Sequence, residues 1–151
     1  MEFKYQLSGR GWASGSIKIN NKEFNFIASY LTDSLSDLLR SLITITPGCV
    51  PYPINESTFI MEEEPERLVW KFEKQNDRDV LITIIKVSGI ERSILFKEQC
   101  LLSDLIKVVV NSISKLLKKH GIEGYRDNWV NHDFPMNEYQ RLDNYINKKV
   151  K

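Results

Sequence analysis

Residues 24–45, FNFIASYLTDSLSDLLRSLITI, are the most informative part of this chain for its fold because they contain a complete change from strand to helix. The first part of this stretch places apolar side chains at every second position, the period of a β-strand with one buried face. Its second part spaces leucines by three and four residues, the period of one helix face. Between the two parts, Thr32-Asp33-Ser34 offers side chains that accept hydrogen bonds from the free amides of a first helical turn. The stretch predicts a strand that leads into a capped amphipathic helix over residues 33–45.

Further strands are predicted on both sides of this stretch from the same two-residue period. Before it, residues 3–7 and 12–19 alternate and are joined by short turns, which gives an antiparallel meander with the strand at 24–30. The run VLITIIKV, residues 80–87, is apolar on nearly both faces, so we expect it at the centre of the sheet. Three more strands are predicted after the first helix, at residues 58–61, 68–72 and 93–97.

Two more helices are predicted in the last third of the chain. Residues 103–120 carry an apolar stripe at helical spacing, and Gly121 is a natural C-cap. The stretch GIEGYRDNWVNHDFP, residues 121–135, is predicted to be an aromatic loop before a final helix. That helix has four apolar residues on one face: Tyr139, Leu142, Ile146 and Val150.

This order of elements predicts one α+β domain over residues 1–151. We expect a mostly antiparallel sheet of about six to seven strands, with the two main helices packed on one face and a C-terminal helix.

Residues 28–43, ASYLTDSLSDLLRSLI, resemble a motif of an uncharacterised family of small bacterial α+β proteins. In that family an SYLTD-x-L-x-DLLR-like stretch precedes an acidic Glu-Pro and a strand with an aromatic centre. Here Glu64-Pro65 and the run LVWKF at residues 68–72 stand in the matching places. The resemblance covers about the middle third of the chain. It implies this fold and a bacterial origin, and it transfers no functional residue because the family has no known activity.

Composition excludes several classes of protein. The formal net charge is +1, whereas nucleic-acid-binding proteins usually carry a strong basic excess. No apolar run reaches the roughly 18 residues needed to span a membrane, and the N-terminal MEFKYQLSG does not resemble a signal peptide. Two cysteines are too few for a secreted disulfide scaffold. We therefore expect a soluble, cytoplasmic protein that binds neither nucleic acid nor membrane.

The titratable residues do not form a recognisable catalytic or metal site. Asp33 and Asp37 lie one helical turn apart, but acids at a helix start are more simply explained as caps. His120 and His132 lack the close ligand pairs of zinc sites. No residue is predicted to be catalytic, and no metal or cofactor is predicted.

Either of the two cysteines, Cys49 and Cys100, could serve as a nucleophile with a histidine base. Neither has a recognisable nucleophile context, and buried free cysteine is the common case. The sequence therefore favours a non-enzymatic function.

Two groups of residues remain as binding candidates. Four glutamates within five residues create a negative field that can steer a basic partner, although a solvated turn is the simpler explanation: Glu62, Glu63, Glu64 and Glu66. The predicted aromatic loop offers an alternative site with an imidazole, a carboxylate and aromatic planes: Tyr125, Trp129, His132 and Asp133. A basic cluster, which we interpret as helix-end capping, is formed by Lys115, Lys118, Lys119 and Arg126.

Three functions are compatible with these features. The first is a protein-binding domain with an unidentified protein partner, which would be basic if it docks on the glutamates. An immunity- or antitoxin-like role is compatible with this interpretation. The second is a small-ligand-binding or enzymatic domain with a pocket between sheet and helices near Trp129 and His132. The third is a homo-oligomer in which Val108 and Val110 add apolar surface. The sequence leaves open whether the protein is a monomer or a homodimer.

Overall fold

Residues 1–130 and 132–150 are described by a computed structural model, without the side chains of residues 149 and 150. Within these residues the chain forms seven strands and three helices. The strands are β1 (Glu2–Gly9), β2 (Trp12–Ile19), β3 (Lys22–Ser29), β4 (Glu56–Glu62), β5 (Arg67–Lys74), β6 (Asp79–Ser88) and β7 (Glu91–Leu101). The helices are α1 (Ser34–Ile45), α2 (Leu102–Asn128) and α3 (Met136–Val150).

The strands form two antiparallel sheets, one in the order β1-β2-β3 and one in the order β4-β5-β6-β7. The α+β class, the antiparallel pairing and the number of strands are confirmed, and β6 is an interior strand as expected. The sequence predicted one sheet, whereas the structure divides the strands because the two apolar faces bury each other. The Phe26 ring meets the Trp70 ring edge-on at a centroid distance of 5.3 Å.

The helices complete a single apolar core that includes side chains of both sheets. Helix α1 packs mainly on β4, helix α2 mainly on β1, and α3 contacts both helices. Leu39 and Trp70, which lie at the centres of their apolar faces, are each 1% exposed, and their predicted burial is confirmed. None of the helices in the described residues combines the length and apolar character needed to cross a bilayer.

Helix α2 continues beyond its predicted end. Gly121 has a non-helical conformation with φ of 68°, yet the helix resumes after it and reaches Asn128. The loop predicted over residues 121–135 is therefore wrong for residues 122–128. The extra turns carry Tyr125 into the core, where its ring meets that of Phe134 at 5.4 Å. Gly121 therefore ends the first helical segment as predicted, and a second segment follows the kink where a loop was expected.

Candidate functional site

The four glutamates of the acidic run form the turn between β4 and β5. Glu62 is the last residue of β4, and the backbone N–H of Glu63 donates to the carbonyl oxygen of Glu66 at 2.8 Å. Glu62 lies 3.4 Å from Arg67, and Glu66 lies 3.4 Å from Lys86. The structure therefore brings the predicted residues together, but it neutralises two of the four carboxylates within the chain.

Glu63 is the most perturbed carboxylate of this turn. Burial raises its pKa, with a smaller increase from Glu66, while Lys86 and the backbone N–H of Ile27 act in the opposite direction. Glu64 is exposed. The negative field of the turn is thus weaker than the number of glutamates indicates.

The fold divides the residues of the alternative site between core and surface, although the rings of Trp129 and His132 remain in contact at a centroid distance of 6.3 Å. Tyr125 and Trp129 are both 0% exposed and belong to the core. His132 lies at the surface, with Nε2 at 2.9 Å from the carbonyl oxygen of Tyr30. Asp133 is exposed and pairs with Arg126 at 3.6 Å. The four residues therefore do not present one joint surface.

Three buried polar atoms of Asp33, Tyr125 and Trp129 have no hydrogen-bond partner among the described residues: Asp33 Oδ1, Tyr125 Oη and Trp129 Nε1. Burial raises the pKa of Tyr125 far above its usual range, with smaller contributions from Tyr5 and Asp33. The phenol therefore stays protonated at neutral pH and is a poor candidate for a general base.

The predicted side-chain cap of α1 is wrong. Asp33 occupies the N-cap position, but its carboxylate makes no capping hydrogen bond. Ser34 Oγ lies instead 3.0 Å from the hydroxyl of Tyr5, which is on β1. Ser34 thus bonds to a residue distant in sequence instead of to the backbone of its own helix. The Asp33 carboxylate faces His132, with Oδ2 at 3.9 Å from Nδ1.

Both cysteines sit in surroundings that disfavour the thiolate. Burial raises the pKa of Cys100 to about 12, with further increases from Asp104 and Asp79. Burial also raises the pKa of Cys49, partly offset by Arg141. A nucleophilic cysteine needs the opposite shift.

A concave groove that the sequence did not predict lies between β1 and α2, with a volume of about 470 Å³. The backbone N–H of Tyr5 donates to Ser112 Oγ at 3.0 Å, which ties the helix to the strand. Apolar side chains on both elements form the floor, among them Phe3, Val108 and Leu116. We call this feature the β1–α2 groove.

The β1–α2 groove is lined by three exposed lysines, Lys4, Lys115 and Lys119. None of the three forms an ion pair within the described part of the chain, and Glu2 is the one carboxylate in the lining. Lys115 and Lys119 are four residues apart on one helix face, an arrangement in which like charges repel. The groove can therefore hold a negatively charged group beside an apolar one.

The sequence indicated two of the three groove lysines. The basic cluster included Lys115 and Lys119, but it also included Lys118 and Arg126, which do not line the groove. Its interpretation as helix-end capping missed Lys4, which is more than a hundred positions away in the chain. Only the packing of α2 on β1 brings these three lysines together.

Two other cavities are more open or smaller. One of about 550 Å³ lies between α1 and β4, and one of about 320 Å³ is lined by residues that include Arg141 and Tyr145. Trp129 and His132 line none of these three cavities. Among the described residues, no cluster of three or more His, Cys, Asp or Glu side chains could hold a metal ion.

Comparison of the chain with protein-family models, curated proteins and solved structures gives no match.

Proposed function

We propose that this chain is a non-enzymatic protein-binding domain that holds an acidic segment of its partner in the β1–α2 groove. The observation that carries the proposal is the groove itself, with three lysines around an apolar floor. An acidic segment with interspersed apolar side chains complements both features. The proposal moves the predicted contact surface away from the acidic run, because that run is partly neutralised within the chain.

The size of the groove supports a short segment of chain. Its volume of about 470 Å³ lies within the range of about 300–1,000 Å³ typical of ligand sites. One or two side chains of a peptide would fill such a space. Charges at the edge of a contact mainly accelerate association, so we expect binding to weaken strongly with salt.

The acidic run remains a second candidate surface, for a basic partner. The exposure of Glu64 at the tip of the β4–β5 turn supports it. An immunity- or antitoxin-like role also remains a proposal, and a toxin reading frame beside the gene would support it.

The proposal can be tested by selecting binders from a random peptide display library with the purified protein. We expect the recovered peptides to be enriched in Asp and Glu with apolar residues between them. The double variant Lys115→Glu and Lys119→Glu should bind a labelled recovered peptide at least tenfold more weakly, a loss of about 1.4 kcal/mol.

The matched control is the double variant Lys107→Glu and Lys118→Glu, which makes the same charge change on α2 with residues outside the groove. It should keep most of the affinity. Equal losses in both variants would show that only the net charge matters, and recovery of basic peptides would favour the acidic run instead.

A further inference from the structure

The outer face of the four-stranded sheet carries an apolar row that crosses all four strands. Strand register pairs Ile60 with Val69, Val69 with Ile85, and Ile85 with Ile94. Their neighbours in the chain, such as Phe59 and Ile84, point to the core and are buried. The row therefore lies on the face opposite the core.

Both ends of the row are exposed, although α1 borders the β4 edge across a cavity that Ile60 helps to line. Ile60 on β4 is 39% exposed, and Ile94 on β7 is 61% exposed. Antiparallel sheets with one solvated face normally carry polar residues there. An aliphatic residue on every strand of one row is thus a departure from the usual pattern, and it marks a contact surface.

Charged rows flank the apolar row, and their charges differ from edge to edge. On one side the register aligns Glu62, Arg67, Val87 and Arg92. On the other side it aligns Thr58, Lys71, Thr83 and Lys97. The β7 edge is thus basic, whereas the β4 edge has a neutral residue and one acid, Glu62, which pairs with Arg67 of the same row at 3.4 Å. Within the described residues, Arg92 and Lys97 form no ion pair.

We propose that a second copy of this chain docks on this face, around a two-fold axis parallel to the strands. Such an axis lays β4 of one copy over β7 of the other and keeps the rows at the same level. Ile60 then faces Ile94 of the second copy, and Glu62 faces Arg92 of the second copy. The two inner strands bring Val69 over Ile85 and complete an apolar strip.

The alternative two-fold axis, perpendicular to the strands, is disfavoured by charge. It reverses the order of the rows, so that Arg67 faces Lys71 of the second copy and Arg92 faces Lys97. Like charges placed opposite each other in an interface oppose binding. The parallel axis makes no such pair among these rows.

The area of the face indicates a weak dimer. Four strands about 4.8 Å apart and seven residues of about 3.3 Å each give roughly 440 Å² of projected area per copy. A stable interface of standard size covers about 800 Å² on each partner. The surface differs from the β1–α2 groove in every element, so its test is independent of the proposed function.

Sedimentation velocity of the full chain from about 5 µM to about 1 mM tests the dimer in the range that suits a weak contact. The sedimentation coefficient should rise with concentration. Ile60→Asp and Ile94→Asp should each weaken association at least tenfold. Ile122→Asp changes an isoleucine of similar exposure, 56%, on α2 and should have no effect.

A charge exchange distinguishes the proposed axis from other arrangements. Glu62→Arg, which also removes the pair with Arg67 of the same chain, and Arg92→Glu should each weaken the dimer, and the double variant should dimerise more tightly than either single variant. The two side chains of one copy lie three strand spacings apart, about 14 Å, so rescue requires contact between copies. A protein that stays monomeric overturns the proposal, as does a dimer that survives Ile60→Asp or is not rescued by the exchange. An edge-to-edge pairing through β7 would survive Ile60→Asp.

Discussion

The β4–β5 turn and the β1–α2 groove carry opposite charges, and they differ in whether those charges have partners. In the turn, Glu62 and Glu66 lie 3.4 Å from Arg67 and Lys86 respectively. In the groove, the three lysines make no ion pair within the described residues. The turn is evident in the sequence and partly neutralised in the fold, whereas the sequence indicates only two of the three groove lysines, and all three remain unpaired within the described residues.

This difference shows that the number of charges in a stretch of sequence does not measure the charge it offers to a partner. Ion pairs across neighbouring strands cancel part of the acidic run. Like charges on one helix face instead cost a few tenths of a kcal/mol in stability, which a bound anion would relieve.

We expect both surfaces to belong to one cooperatively folding domain. A substitution at the buried Leu39 tests this expectation. Leu39→Ala should lower the free energy of unfolding by about 2–5 kcal/mol, through lost transfer energy and the remaining cavity. Chemical denaturation followed by tryptophan fluorescence and by circular dichroism should show one shifted transition with both probes. Arg40→Ala, at an exposed neighbour, should shift it by no more than about 1 kcal/mol. Separate transitions for the two probes would contradict a single domain.

The two surfaces should act independently in binding. Changing the four glutamates of the turn to glutamine should leave the affinity for a groove-binding peptide within about twofold, or roughly 0.4 kcal/mol. The same variant should slow association with a basic partner and flatten its salt dependence. Fluorescence anisotropy and stopped-flow mixing provide the two measurements. A tenfold change in the affinity for the acidic peptide would show that the surfaces are coupled.

The stability contributions of the lysines should also differ. Lys86→Met removes the partner of Glu66 and should cost about 0.5 kcal/mol, since both side chains are partly exposed. Lys115→Met removes a repulsive neighbour of Lys119 and should be neutral or slightly stabilising. Urea denaturation at low ionic strength measures both variants. If Lys115→Met costs as much as Lys86→Met, the groove lysines have a structural role that the distances do not show.

The smallest expected effect concerns Glu63 and its dependence on pH. Because the folded state raises the pKa of this carboxyl, it favours the protonated form. The contribution of Glu63 to stability is therefore fully present below the ordinary pKa of 4.5 and is lost as the pH rises through the higher folded value. Glu63→Gln should stabilise the protein at pH 7, and the gain should disappear toward pH 4.5. Glu64→Gln, at an exposed position of the same turn, is the control. A gain that does not depend on pH would contradict this origin.

Local features of the chain were predictable because their physical causes lie within a few residues. The helix expected at residues 33–45 is observed as Ser34–Ile45, and the doubly apolar run at 80–87 lies in an interior strand. The hairpin strand expected at residues 12–19 has the same bounds in the structure. Periodicity and turn residues act over such short distances, so the sequence alone determined the elements and the α+β class.

The features that require contact between residues far apart in the chain were set by tertiary packing. Ser34 hydrogen-bonds to Tyr5 instead of forming the predicted cap, and a second helical segment after the kink at Gly121 buries Tyr125 where a loop was predicted. The β1–α2 groove requires Lys4 to meet Lys115 and Lys119, and the apolar row requires the register of four strands. Local propensity contributes only tenths of a kcal/mol per residue, whereas burial of a large side chain contributes about 1.5–3 kcal/mol. Where the two compete, burial prevails, and both surfaces proposed for binding exist only in the folded chain.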